Sequence, residues 1–187
     1  MLRTRVGYCG GTKESPTYRA MGDHTEAIGI DYDPTVISYE DLLERFWTSH
    51  HCGAGFGGRQ YMNAVFYHND GQRKMAEAAR KKAARKQGVS VDQVKTALLP
   101  VGRFTYAERY HQKYALPRTS EVRLFLEEVY PTAKELADST VATRLNAYLG
   151  SGYDRDVAVL EEEAADYGLP EKLAARVLEE ARRRQRR

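Results

Sequence analysis

Only two cysteines, Cys9 and Cys52, occur among the 187 residues, too few for a disulfide framework. Long apolar runs are missing, and nothing approaches the roughly 18 residues of a membrane span. The opening residues 1–11 lack the apolar stretch of a signal peptide, which predicts a reducing, cytoplasmic compartment. Neither sign of charge dominates. The 29 Lys plus Arg against 26 Asp plus Glu leave a net charge of +3, no basis for nucleic-acid binding. Metal-ligand spacing is absent as well, with no Cys-x-x-Cys and no His-x-x-x-His. His50 and His51 beside Cys52 invite a metal reading, but adjacent helical side chains point about 100° apart and do not grip one ion easily. No metal and no other cofactor is expected.

What remains is a soluble globular composition, 42% hydrophobic and 29% charged. Its character changes at Leu116-Pro117-Arg118, which predicts two parts, residues 1–117 and 118–187. In the first, residues 4–8 read as a strand ending at Gly10-Gly11, and residues 24–32 as a second strand stopped by Asp33-Pro34. Ser38 caps a helix bearing Leu42, Leu43, Phe46, Trp47 and His50. A glycine-rich loop, residues 52–58, leads to a third strand over 61–67. Asn69-Asp70-Gly71 then turns into a basic helix over 72–87. A fourth strand is expected over 94–101, then a helix with Ala107, Tyr110, His111 and Tyr114. Interleaved strands and helices predict an α+β domain. The second part reads as helical over 121–129, 133–149 and 154–167, with Gly168 and Pro170 separating a last helix. The arginines at 182–187 and the basic helix 73–86 read as solvated cations at a helix end and around an alanine-lined core face.

The second strand is the most informative segment. Period-two geometry puts Glu26, Ile28, Ile30 and Tyr32 on one face, with Ala27, Gly29 and Asp31 on the other. If Ile28 and Ile30 face the core, Glu26 ends a buried stripe, and desolvation equips it to donate a proton near neutral pH. If not, it is a strand-end carboxylate in water. Tyr18 and Tyr61 lie in loops flanking this strand. Thirteen tyrosines are present, so neither stands out alone.

Taken in order, several segments resemble one family, the A-type peptide methionine sulfoxide reductases. They are Arg5-Val6-Gly7-Tyr8-Cys9-Gly10-Gly11, Ser15-Pro16-Thr17-Tyr18, His24-Thr25-Glu26, Tyr32-Asp33-Pro34 with Ile37-Ser38-Tyr39, Gln60-Tyr61, and the run from Phe104 to Gln112. The resemblance covers about residues 3–116. It implies a two-layer α+β sandwich with a mixed sheet flanked by helices, to which the C-terminal all-helical extension is added. It also implies reduction of methionine S-sulfoxide, free or in proteins. In that family a thiolate attacks sulfur, and a thioredoxin-like reductant finally restores the thiol. Glu26 matches the family's proton donor, while Tyr18 and Tyr61 match the tyrosines that hydrogen-bond the sulfoxide oxygen. No nucleic-acid or membrane partner is implied.

The chain also departs from the family. The Gly-Cys-Phe-Trp-Gly nucleophile segment stands about twenty residues before the Val-Gly-Tyr segment, and this sequence opens five residues before Val6. The expectation is therefore a truncated, weakly active or inactive reductase with an exposed sheet face or edge. The family's aspartate five residues before the Gln-Tyr tyrosine is replaced by Phe56. Cys52, beside two histidines, and Cys9, beside Gly10-Gly11, are the possible substitute thiols; otherwise both are idle or buried. A non-catalytic binding module on the same fold, with the C-terminal helices as a protein-interaction segment, is the alternative.

Overall fold

The computed structural model describes residues 2–55, 57–116, 120–150 and 157–185. Phe56, the expected boundary at Pro117-Arg118, the start of the 154–167 helix and the last two arginines lie outside the described residues. The chain divides into two compact units, one formed by Val6–Ala107 and one by Leu2–Arg5 with Glu108–Arg187.

The first unit has the expected α+β character. Strands β1 (Arg3–Cys9), β2 (Thr25–Asp31), β3 (Ala64–Tyr67), β4 (Ala97–Pro100) and β5 (Thr105–Tyr106) accompany helices α1 (Tyr39–Thr48) and α2 (Asp70–Lys86). The strands pair in two small sheets. One has the order β2-β1-β5; the other is the pair β3-β4. β3 and β4 run parallel, Ala64 opposite Ala97 through Tyr67 opposite Pro100, because α2 returns the chain between them. α1 starts directly after Ser38 as the sequence says, and α2 starts two residues earlier than the expected 72, with Asp70 and Gly71 in its first turn. Ser38 Oγ accepts from the Asp41 amide at 3.1 Å, and the Asp41 carboxylate accepts from the Ser38 amide at 3.0 Å. Asn69 caps α2 through the Gln72 amide at 2.9 Å. Leu43 and Trp47 of α1, Ala76 and Ala83 of α2, Val65 of β3 and Cys52 form one core. Tyr8, Met21 and Ala107 form a second.

Residues 105–114 correct the sequence reading. No α-helix forms there. β5 instead pairs antiparallel with β1, Gly7 opposite Tyr106 and Tyr8 opposite Thr105, and a single 3₁₀ turn follows at Arg109–His111. Ladder bonds to β1 outweigh the helical spacing of Ala107, Tyr110, His111 and Tyr114, and Lys113 at φ 52° ends any helical course.

In the second unit α3 (Glu121–Val129), α4 (Ala133–Asp138), α5 (Thr140–Leu149), α6 (Val157–Glu163) and α7 (Glu171–Gln185) enclose Leu126, Leu136, Leu145, Leu160 and Val177. The single expected segment 133–149 breaks at Ser139, whose hydroxyl caps α5 by accepting from the Ala142 amide at 3.0 Å. Arg176 pairs with Glu121, and Arg182 with Glu161.

Lys113 is buried in this unit, 5% exposed, with three acceptors around its ammonium. It donates to the Thr4 carbonyl, to the Ala137 carbonyl at 2.9 Å and to Thr143 Oγ1 at 2.7 Å. Burial lowers its pKa to about 8, the charge of Asp138 opposing the fall and that of Arg5 adding to it. An unfolded lysine titrates near 10.4. Between about pH 8 and 10 the unfolded chain therefore holds more protons, so stability rises with pH across that window. Tyr167 acts the other way above about pH 10, since burial and a hydrogen bond to Glu163 raise its pKa in the fold. The expected result is that the denaturation midpoint of the natural chain rises relative to that of Lys113→Met between about pH 8 and 10, since the opposing effect of the buried Cys9 thiol is common to both.

Candidate active site

Two loops of the first unit converge beside the start of β2. The first runs from β1 to β2. Gly10, at φ 76°, turns the chain out of the strand, and a Cβ there would come within 2.6 Å of the Phe66 ring. A Cβ on Gly11 would meet the His24 ring at 2.6 Å. His24 is buried; its Nδ1 accepts from the Gly11 amide and its Nε2 donates to the Lys13 carbonyl at 2.8 Å, so the proton sits on Nε2. Asp23 accepts from the Thr12 and Lys13 amides and the Thr12 hydroxyl, and these bonds hold its carboxyl down at about 2. The loop is closed at its base, and Tyr18 stands at its tip between Thr17 and Ala20, which bridge to each other.

The second loop carries the 3₁₀ turn Arg59–Tyr61. Arg59 fastens it to the first loop. Its Nη2 donates to the Gly10 carbonyl at 2.7 Å and its Nε to the Asp23 carbonyl at 3.0 Å, while Thr25 Oγ1 donates to the Arg59 carbonyl at 2.9 Å. Tyr61 is thereby brought beside Tyr18, their hydroxyls 3.5 Å apart. Gln60 Nε2 donates to Glu26 Oε1 at 2.7 Å and to the Tyr61 hydroxyl at 2.9 Å. The Tyr18 hydroxyl, then partial burial and the Glu26 charge, raise the pKa of Tyr61, against the Gln60 hydrogen bond. Glu26, Tyr18 and Tyr61, expected together from the sequence, form one hydrogen-bonded cluster. Gln60, named in the sequence only as part of the Gln60-Tyr61 segment, and Arg59, which was not singled out, join it.

The environment of Glu26 corrects the buried-stripe reading. Glu26 is exposed and Ile28 is 60% exposed, whereas Thr25 is buried and Ala27, Gly29 and Asp31 are half-buried. Thr25 is drawn inward by its hydroxyl bond to the Arg59 carbonyl, and Ile30 on the other face is half-buried like Ala27 and Gly29. β2 lies at one end of the order β2-β1-β5.

The cysteines stand apart from this cluster. Cys52 is fully buried in the core between α1 and α2, its amide donating to Gln87 Oε1 at 2.8 Å. Cys9 is 1% exposed; its thiol donates to the Val101 carbonyl, and burial raises its pKa. Neither offers a thiolate at the surface. His50 bonds the Phe46 carbonyl through Nδ1 and Thr96 Oγ1 through Nε2, and burial lowers its pKa, which marks a neutral packing residue. Among the described residues no three His, Cys, Asp or Glu side chains group to hold a metal ion, and no helix is long and apolar enough to cross a membrane.

The α+β unit thus presents one carboxyl group and two phenols on a single hydrogen-bonded surface. The family model described as peptide methionine sulfoxide reductase matches residues 1–144, and the chain belongs to that family. A Drosophila melanogaster protein of that name is 41% identical over 150 residues, covering 80% of this chain and 59% of its own. A Methanothermobacter thermautotrophicus protein, named peptide methionine sulfoxide reductase MsrA, is 36% identical over 141 residues, covering 71% of this chain and 82% of its own. The crystal structure of Mxr1 from Saccharomyces cerevisiae in an unusual oxidised form aligns with a TM-score of 0.48 and 25% identity, over 63% of this chain and 67% of that one. The chain thus spans about three-fifths of the length of the fly relative.

Proposed function

We propose that this unit carries the oxygen-side half of a peptide-methionine (S)-S-oxide reductase site. The observation that carries the reading is the Tyr18–Tyr61–Gln60–Glu26 cluster, whose donors are exposed and held by Arg59. A sulfoxide oxygen is polar but weakly basic, so breaking its bond to sulfur needs a neutral acid and further donors beside it. Glu26 supplies the proton; the phenols of Tyr18 and Tyr61 stabilise the charge that builds on oxygen. The attacking thiol takes the oxygen as a sulfenic acid and releases the thioether methionine. A second thiol condenses with the sulfenic acid to a disulfide and water, and a thioredoxin-like dithiol reduces that disulfide. The work is placed in the cytoplasm, where such a dithiol is available.

Attack at sulfur requires an accessible thiolate, and both thiols of this sequence are buried. With dithiothreitol as reductant, the chain as written is therefore expected to consume methionine S-sulfoxide very slowly. A graft of the family's Gly-Cys-Phe-Trp-Gly segment ahead of β1 is expected to restore turnover. Rapid turnover by the ungrafted chain, lost in Cys52→Ser or Cys9→Ser, would instead identify a relocated nucleophile.

A further inference from the structure

Gln60 occupies a position that the chemistry just described leaves unexplained. Its side-chain nitrogen has two hydrogens, and both are used, one on Glu26 Oε1 and one on the Tyr61 hydroxyl oxygen. The amide orientation follows from the ionised Glu26 carboxylate, because the carbonyl end would face a carboxylate oxygen with no hydrogen to share. We propose that Gln60 is a positioning residue that aims the protons of Glu26 and Tyr61 at a single acceptor oxygen of the substrate. This inference rests on the reading of the site as one that binds a sulfoxide.

With Oε1 accepting from the amide, a proton that Glu26 takes up for delivery to the substrate is directed to Oε2, the oxygen that Gln60 does not bond. With the Tyr61 oxygen accepting as well, its O–H must point elsewhere than at Gln60. Its neighbour there is the Tyr18 hydroxyl at 3.5 Å, a long contact that a ligand oxygen can replace because Tyr61 is 49% exposed. The amide itself is not free to wander. Arg59, the preceding residue, binds the Gly10 and Asp23 carbonyls and is bound by Thr25, the residue immediately before Glu26. The turn bearing Gln60 and the strand bearing Glu26 are thus fixed to each other before any ligand arrives, which is what preorganised stabilisation of a developing charge requires. A sulfoxide oxygen, with more than one lone pair, can accept from both donors at once. The thioether product has no oxygen and cannot.

The test is an NMR titration of the full chain with N-acetylmethionine S-sulfoxide methyl ester and, separately, with the corresponding thioether ester. Gln60→Met keeps the size and removes both hydrogen bonds; Gln60→Glu places an acceptor where a donor is needed. Sulfoxide affinity is expected to fall roughly tenfold in Gln60→Met, the scale of one or two hydrogen bonds, and at least as far in Gln60→Glu. Thioether affinity should not change. The Tyr61 phenol should also titrate at higher pH in Gln60→Met, since the bond that favours its phenolate is gone. Trp47 fluorescence checks that each variant is folded. A parallel loss for both esters would make Gln60 merely structural and overturn the proposal, as would an unchanged sulfoxide affinity in folded Gln60→Met or Gln60→Glu. If the natural chain binds the two esters alike, the sulfoxide reading of the site fails first and takes this proposal with it.

Discussion

Arg123→Met is expected to destabilise the helical unit by about 1.5–3 kcal/mol, the worth of hydrogen bonds from a buried charged group. The side chain is 3% exposed and enters α3 at its first turn. Its guanidinium donates to the Gln112 carbonyl at 2.6 Å, the Lys113 carbonyl at 3.3 Å and the Arg109 carbonyl at 3.2 Å, and its Nε to Glu127 at 2.7 Å. Methionine fills much of the volume and satisfies none of these acceptors. Among the described residues Glu127 keeps its ion pair with Arg109, at 3.6 Å, and the Arg109 and Lys113 carbonyls still accept from the Gln112 and Leu116 amides, so the loss is that of the charged donor. The measurement is urea denaturation followed by far-UV circular dichroism, with a lower midpoint expected in the variant. A midpoint within about 0.5 kcal/mol of the natural chain, the scale of an ordinary surface substitution, would mean that segment 109–113 is held by something else.

Glu26→Ala is expected to lower S-sulfoxide turnover by about 10²–10⁴-fold in the grafted chain, the usual worth of a positioned general acid. Alanine removes the proton donor and leaves Gln60 without its carboxyl partner, while the two phenols still bind the oxygen. The loss should therefore fall mainly on kcat, with KM changed little. Tyr18→Phe and Tyr61→Phe each remove one hydrogen bond and should cost less than Glu26→Ala. A Glu26→Ala variant within a few-fold of its parent would move the acid to another group.

Helices α1, α2 and α7 were legible because their signals are local, whereas the helix expected around Tyr110 and the unbroken segment 133–149 do not form. Ser38 with Asp41, Asn69, and Gly168 mark ends that do not depend on distant partners. The two sheets were not, since Tyr106 and Thr105 become a strand only opposite Gly7 and Tyr8, about a hundred residues away. The face of β2 misled for a related reason. Ile28 outranks Ala27 and Gly29 in hydrophobicity yet is exposed, while Thr25 is drawn inward by its bond to Arg59. At the site, Glu26, Tyr18 and Tyr61 were found through ordered motifs, whereas the buried Lys113 and the linking Gln60 have meaning only through contacts made in the fold. A lysine or a glutamine in a polar run looks the same whether solvated or buried.

Tyr18, Glu26 and Tyr61 are proposed to act together on one oxygen, which is tested by titrating the full chain with methionine S-sulfoxide, with carbon-13 in the tyrosine rings and glutamate carboxyl groups. The account predicts that the signals of Tyr18, Tyr61 and Glu26 move together along one saturating curve, and that the sulfur-epimeric R-sulfoxide moves them less. Independent curves for the three residues, or a response confined to the surroundings of Cys52, would contradict it.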